Sequence, residues 1–356
     1  MNIQAATKSY EAWLGERMTL VQSDLDFKHR QMAGGVSPFL RATFYRWAQV
    51  FPKVCPALMD APALLAVGDL HAENFGTWRD AEGRLIWGVN DFDQVYRMPY
   101  ALDLVRLAVS ASLSEALRSA ARDACDAILD GYEAGLSAGG RPFVLAEDND
   151  WLRRVALTAL APPGEFWKKM AALPAAEDVP PSAREGIEQG LPRPWPEYRL
   201  VKRRAGLGSL GQPRFTALAD WQGGKIAREV KALAPSAWLW AEKTAGPPEI
   251  LYQVLLTQAV RCRDPYVELR GEWILRRLAP DCSRISLSSL PSTKDELRLL
   301  RAMGWETANV HLGTPEATKS VRLHLKQQPK NWLVRTAEAM EEATERDWRA
   351  WVKAAG

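Results

Sequence analysis

Val67-Gly68-Asp69-Leu70-His71-Ala72-Glu73-Asn74-Phe75-Gly76, continued at Asn90-Asp91-Phe92-Asp93, is the densest polar stretch of the chain. Ahead of it, Ala63-Leu64-Leu65-Ala66-Val67 is a short apolar run that reads as a buried strand. Acids and amides delivered by a buried strand are costly unless they are paired or used. Two β-prone runs, Phe75–Trp78 and Arg84–Val89, flank an acidic turn ending in Gly83, so the spacing predicts a hairpin. A hairpin returns the chain to its start. The loop 69–74 and the loop 90–93 are therefore expected side by side.

That juxtaposition has a specific chemistry. In phosphoryl transfer, one carboxylate accepts the proton of the attacking hydroxyl, while an amide and a second carboxylate hold magnesium against the phosphates. Asp69, Asn74 and Asp91 have the residue types and spacing for this. A plainer reading has Asp69 and Asn74 stabilising a turn and Asp91 capping an element. His71 is either an orienting residue or a hydrogen-bonded loop histidine. Gly-Asp-x-His also begins the sites of two-metal phosphoesterases, but those need several further histidines. The chain has only four, His29, His71, His311 and His324.

Towards the N-terminus, residues 8–33 read as one charged helix. Ser37-Pro38 opens a second, PFLRATFYRWAQVF, with Phe39, Phe44 and Trp47 on one face as core packing, ended by Pro52 and Pro56. After the hairpin, Asp103 is placed as the N-cap of a long helix, DLVRLAVSASLSEAL. Helices are expected over about 119–137 and 149–160. Eight prolines fall between 162 and 196, which suggests a linker or an ordered surface excursion with a boundary near 196.

From Tyr198 the pattern is β-rich. Gly206-Leu207-Gly208-Ser209-Leu210-Gly211 lies between two strand-like runs, 198–202 and 214–219. G-x-G-x-x-G alone is a weak signal, since it opens dinucleotide-binding helices, covers phosphates at a hairpin tip, or is an ordinary tight turn. Pro213 and an alternating run follow it here, with no long helix, which favours the hairpin tip over the dinucleotide motif. A phosphate cover of that kind calls for a lysine on the next strand, and Lys231 stands at the end of one. Residues 248–262 read as a helix, 271–278 as a strand, and 293–312, 315–327 and 330–354 as helices.

Composition bounds the rest. The chain has 356 residues, 47% hydrophobic and 25% charged, with a net charge of +3. That size supports a large core in two lobes, and the near-neutral charge argues against nucleic acid or membrane as a bulk electrostatic partner. The four cysteines form no CxxC, which fits a reducing cytoplasm. The N-terminal segment lacks an apolar h-region, so no signal peptide is expected, and no apolar run approaches the ~20 residues of a membrane span.

Asp69-Leu70-His71-Ala72-Glu73-Asn74, Asn90-Asp91-Phe92-Asp93 and Asp103-Leu104 resemble the catalytic region of aminoglycoside phosphotransferases and other protein-kinase-like enzymes. More closely, the block 67–107 is similar to a bacterial family known as domain of unknown function 2252. Ser37–Arg41, Gly206–Gly211 and Glu229-Val230-Lys231 resemble its other parts. The motif order is reversed, because in kinase-like enzymes the glycine loop and its lysine precede the catalytic loop. The resemblance therefore implies an α+β, circularly permuted, two-lobe kinase-like fold. Residues 1–196 and 283–356 would form the helical lobe, and 197–282 an inserted antiparallel β lobe. It implies ATP and Mg2+ as cofactors and a small-molecule hydroxyl as acceptor, the segment between Asp91 and Asp103 being short. Asp69 would be the base, and Asn74, Asp91 and either directly or indirectly Asp93 the metal-holding residues. Gly206, Gly208, Ser209, Gly211 and Lys231 would lie on the phosphates, Asp103 would brace the catalytic loop, and Glu249 would pair with Lys231. The histidine that many such enzymes carry two residues before the base is Val67 here, which leaves His71 to orient the loop. A nucleotide-binding or AMP-transferring module of the same fold is the alternative implied.

Overall fold

The computed structural model describes residues 1–243 and 249–355. Four helices open the chain: α1 (Ile3–Gly15), α2 (Gln22–Ala33), α3 (Val36–Ala42) and α4 (Phe44–Val54). Strand β1 (Ala63–Ala66) leads into the acidic loop, and the hairpin of β2 (Phe75–Arg79) and β3 (Leu85–Val89) follows. β4 (Tyr96–Pro99) pairs antiparallel with β1, Ala66 opposite Tyr96, and runs straight into α5 (Tyr100–Ser112). Helix α6 (Ala121–Ala138) precedes a short strand, β5 (Phe143–Val144), which joins the edge of β3. Helices α7 (Asp150–Ala159), α8 (Pro163–Ala171) and α9 (Pro181–Gly190) come next. Strands β6 (Tyr198–Lys202), β7 (Arg214–Trp221) and β8 (Gly224–Ala232) then form a meander. After α10 (Ala237–Glu242) and α11 (Tyr252–Gln258), strands β9 (Glu268–Arg270) and β10 (Trp273–Leu278) complete a five-stranded antiparallel sheet, ordered β6-β7-β8-β10-β9. Helices α12 (Thr293–His311), α13 (Thr318–Gln327) and α14 (Trp332–Ala355) close the chain. The fold is thus mixed α+β with small antiparallel sheets. No helix among the described residues is long and apolar enough to cross a membrane.

One large core draws on both ends of the chain, from Ile3 in α1 to Met340 in α14, and is centred on α5. In α5 almost every side chain is buried, so the helix has no solvated face. It carries Asp103 and Arg106 into that core, both 0% exposed. Helices α6 and α12 cross at backbone contact: a methyl added at Gly131 would overlap the Arg301 carbonyl, and one at Gly304 the Ile128 carbonyl. A second core lies under the five-stranded sheet, where Ala183 and Ile187 of α9 meet Phe215, Val230 and Leu275.

Several local expectations need correction. The charged helix over 8–33 is two helices, broken at 16–21, where α1 is closed by Glu16 N donating to the Ala12 carbonyl and α2 starts at Gln22. The aromatic helix is broken at Thr43, whose Oγ1 donates to the Phe39 carbonyl at 2.7 Å. Pro52 sits inside α4 and does not end it. The helix expected over 248–262 is confined to Tyr252–Gln258, and its expected first residue, Pro248, lies outside the described residues. Of the two readings of the proline-rich stretch 162–196, linker or ordered excursion, the second holds: Pro163 and Pro181 start α8 and α9, where a missing N–H costs nothing. Ala176 N and Lys202 N bond across to the Leu200 and Pro174 carbonyls, at 2.9 Å each. The smaller core therefore recruits residues from before the expected boundary near 196.

Candidate active site

Strand β1 ends at Ala66, and Gly68, with φ of 81°, turns the chain into the acidic loop. A methyl at Gly68 would stand 2.8 Å from the Gln94 carbonyl oxygen, so only glycine makes this turn without moving its neighbours. The turn is held from α5. Asp103 Oδ2 accepts from Val67 N at 2.7 Å and Oδ1 from Gly68 N at 2.8 Å. His311 Nε2 lies 3.0 Å from Asp103 Oδ2, and Tyr132 Oη 2.8 Å from His311 Nδ1. Asp103 is therefore not the N-cap of α5, a place held by Pro99. It lies in the first turn, where its carboxylate satisfies two backbone donors that are distant in sequence.

The same helix positions Asp69. Arg106 Nε donates to Asp69 Oδ1 at 2.9 Å, Nη2 donates to the same oxygen, and Nη2 also reaches the Leu40 carbonyl at 2.8 Å. The guanidinium is sandwiched by Phe44 and Trp47, its Cζ 5.3 and 4.9 Å from their ring centroids. Burial pushes the Asp69 carboxyl up to about 6, against the pull of Arg106. A carboxylate in that range is ionised at neutral pH and still basic enough to take a proton.

His71 is buried, and its Nδ1 accepts from Glu73 N at 3.2 Å, capping the short 3-10 turn Ala72–Asn74. Burial, with Arg41 and Arg106 nearby, holds this imidazole well below its usual range, so it is neutral. Its role in the structure is to shape the turn that presents Asn74. Asn74 Nδ2 donates to the Asp69 carbonyl at 2.5 Å, which leaves Oδ1 as the acceptor end of the amide. The two acidic loops are clamped together by the hairpin, with Asn90 N bonded to the Asn74 carbonyl at 3.0 Å.

Lys231, at the end of β8 and 1% exposed, reaches into this same place. Its Nζ lies 3.7 Å from Asp91 Oδ1 and donates to Asp93 Oδ2. Burial disfavours charge on both acids, but Lys231 and Arg276 keep Asp91 ionised well below the usual carboxylate range. Burial and the charge of Asp91 push Asp93 upward. The two carboxylates share one ammonium and titrate as a unit. Asp93 Oδ1 is buried, and no atom of the described residues donates to it.

The glycine loop joins β6 to β7 and folds down on the acidic loop. A methyl at Gly208 would stand 3.2 Å from Asp69 Oδ2 and 3.1 Å from the Arg41 carbonyl oxygen. The Gly208 carbonyl accepts from Lys28 Nζ at 2.8 Å. Burial lowers that ammonium to about 8. Gly206 has φ of 73°, and its carbonyl accepts from Ser209 N at 3.1 Å. Ser209 Oγ accepts from Arg214 Nη2 at 3.1 Å, so this hydroxyl is engaged by the first residue of β7. Gly211 does not face the acidic loop: it packs on Leu25 of α2, and its carbonyl accepts from Val21 N at 2.8 Å. Glu249 is exposed, ahead of α11, and the acids that meet Lys231 are Asp91 and Asp93.

One cavity accordingly has Asp69, His71, Asn74, Asp91, Asp93 and the backbone of 206–209 in its wall, together with Lys28 and Arg41. The donors available to a metal are Asp91, Asp93 and Asn74, all hard oxygen ligands. No group of three or more His, Cys, Asp or Glu side chains that could hold an ion occurs among the described residues. Magnesium is commonly held by one or two carboxylates, with substrate phosphates and water completing the shell, and this donor set fits that pattern. Two contributors escaped the sequence reading. Arg106 was detectable as a lone cation in an apolar helix. Glu229 was detectable only through the register that sets it opposite Thr216 and Arg276.

No curated protein and no solved structure matches the chain. Residues 20–156, which carry Asp69, Asn74, Asp91, Asp103 and Arg106, match the family model described as an uncharacterized protein conserved in bacteria (DUF2252), in support of the kinship implied by the same motif block.

Proposed function

We propose that the protein is an ATP- and Mg2+-dependent phosphotransferase with a circularly permuted kinase-like fold, acting on a hydroxyl of a small molecule. The observation that carries this reading is the meeting of Lys231 with Asp91, 3.7 Å apart, beneath a glycine loop that touches Asp69. The glycine loop lies between the first two strands of the five-stranded sheet and the lysine on the third. That is the placement phosphate-covering loops and their lysine have in protein kinases. Here these parts follow the catalytic loop in sequence, so the small β lobe is inserted into a helical lobe built from both ends of the chain.

In this reading each residue has one task. Asp69 accepts the proton of the acceptor hydroxyl, and Arg106 fixes the carboxylate from below and keeps it ionised. Asp103 and His71 hold the two ends of the loop, so Asp69 and Asn74 do not have to be ordered on binding. Asn74 and Asp91 hold the metal, with Asp93 alongside. Lys231 and the backbone of Gly206–Ser209 face the phosphates. Bound Mg2+ would supply neutralisation of the charge on the phosphoryl oxygens.

The test is a thermal-shift titration with ATP and Mg2+, followed by ATP turnover with pooled metabolites. The reading expects stabilisation that rises with ligand concentration and a turnover that needs both Mg2+ and an acceptor fraction. Absence of any nucleotide-dependent stabilisation would remove the kinase reading.

A further inference from the structure

Beside the catalytic carboxylates lies a second cleft, with a cavity volume of about 200 Å³, that shares Asn74, Asp91, Gly206 and Arg284 with the first. Among the described residues its wall holds seven arginines and only three carboxylates, Glu73, Asp91 and Asp264. Glu73 is already engaged by Arg41 at 2.7 Å and Arg284 at 3.4 Å, and Asp91 by Lys231. The positive charge of the cleft is thus far from cancelled.

The arginines are also built into place. Glu229, 0% exposed, is the hub: it accepts from Arg203 at 2.8 Å, Arg214 at 2.7 Å and Arg276 at 2.7 Å. Three guanidiniums on one carboxylate leave an excess of two positive charges, oriented before any ligand arrives. Arg261, also in the wall, is held by the rings of Trp78 and Phe92, 4.9 and 4.7 Å away, and by the Val89 carbonyl at 2.9 Å. Its Nε and Nη1, and the Nε and Nη2 of Arg277, are buried donors without an acceptor among the described residues. Buried donors without acceptors are costly. Guanidiniums with free N–H pairs match phosphate oxygens in geometry and charge.

We propose that this cleft binds a ligand carrying two or more phosphate-type anions, held by Arg203 and Arg276 of the Glu229 hub together with Arg261 and Arg277, all of which line it. This site borders the magnesium-holding Asn74 and Asp91, which line it too, and it stands whether or not Asp69 acts as a base. The same chemistry has two sources: the polyphosphate chain of a nucleotide, or a multiply phosphorylated metabolite.

The experiment is calorimetric titration of the full chain with inorganic tripolyphosphate, without metal, at low and high salt. Binding is expected, weaker at high salt because the contacts are ionic. It is expected to weaken about tenfold or more in Arg277→Gln and, separately, in Arg203→Gln. Among the described residues Arg277 has no ion-pair partner and only the Tyr266 ring, 5.1 Å away, beside it, so its loss should leave the melting temperature nearly unchanged. Arg203→Gln leaves Glu229 with two arginines and serves if the first variant is unstable. Competition tells the sources apart. Displacement by ATP but not by sugar bisphosphates identifies the nucleotide chain, and the reverse identifies a phosphorylated metabolite. Asp69→Asn should retain tripolyphosphate binding, and a failed phosphotransfer reading would appear as an unsubstituted chain that binds tripolyphosphate but shows no acceptor-dependent ATP turnover. Absence of tripolyphosphate binding, or binding of equal strength in both arginine variants, would overturn the proposal.

Discussion

Arg106 Nε lies 2.9 Å from Asp69 Oδ1, and the arginine is wholly buried between Phe44 and Trp47. A buried guanidinium on a buried acid sets two properties at once, the direction of the carboxylate and its affinity for a proton. Burial raises the Asp69 carboxyl to about 6, and Arg106 is the main force opposing that rise.

The pH dependence follows from that balance. A base must be ionised, so turnover should rise with pH along a limb centred near 6 and level off above it. In Arg106→Gln the opposing charge is gone, the Asp69 carboxyl climbs further, and the limb should move to higher pH. The kcat/KM profile of the two proteins checks this; an unmoved limb would separate Arg106 from the ionisation of Asp69.

Asp103 makes a different prediction. Its carboxylate accepts from Val67 N and Gly68 N, at 2.7 and 2.8 Å. Asp103→Ala leaves both donors unpaired in the core, at about 1–3 kcal/mol each. Urea denaturation should show a loss of about 2–6 kcal/mol. Asp103→Asn keeps one acceptor oxygen and should lose less.

Much of this site was legible before the structure because it rests on local rules. The hairpin over 75–89 needed only two β-prone runs and a turn, and it does bring Asn90 against Asn74. Gly206–Gly211 and Lys231 were legible as a loop and a strand end. What was hidden depends on partners far away in sequence. A helix cap and a tertiary brace place the same acid at the start of the same helix, so Asp103 could be read either way until Val67 and Gly68 were seen above it. The family resemblance implies Gly211 on the phosphates and Glu249 as partner of Lys231, but Leu25 claims the first and solvent the second. The arginine hub on Glu229 requires three strands in register, and no single segment carries that information.

Gly208 tests how closely the two loops must fit. Its missing side chain lets the glycine loop approach Asp69 Oδ2, and a methyl there would meet two oxygens at 3.1–3.2 Å. Gly208→Ala should displace the loop by a few tenths of an ångström and lower kcat/KM about tenfold, or about 1.4 kcal/mol. Because the loop is at the surface of the core, unfolding free energy should change by less than about 1 kcal/mol. Parallel kinetics and denaturation measure both.

The central claim is that Asp69 is the base of a phosphoryl transfer whose nucleotide is held by residues of the other lobe. Its most direct test is a paired measurement on Asp69→Asn: acceptor-dependent transfer of the terminal phosphoryl group of ATP, and ATP affinity in the presence of Mg2+. The account predicts transfer reduced by about 10²-fold or more with ATP affinity nearly unchanged. Transfer at the unsubstituted rate in Asp69→Asn would contradict it.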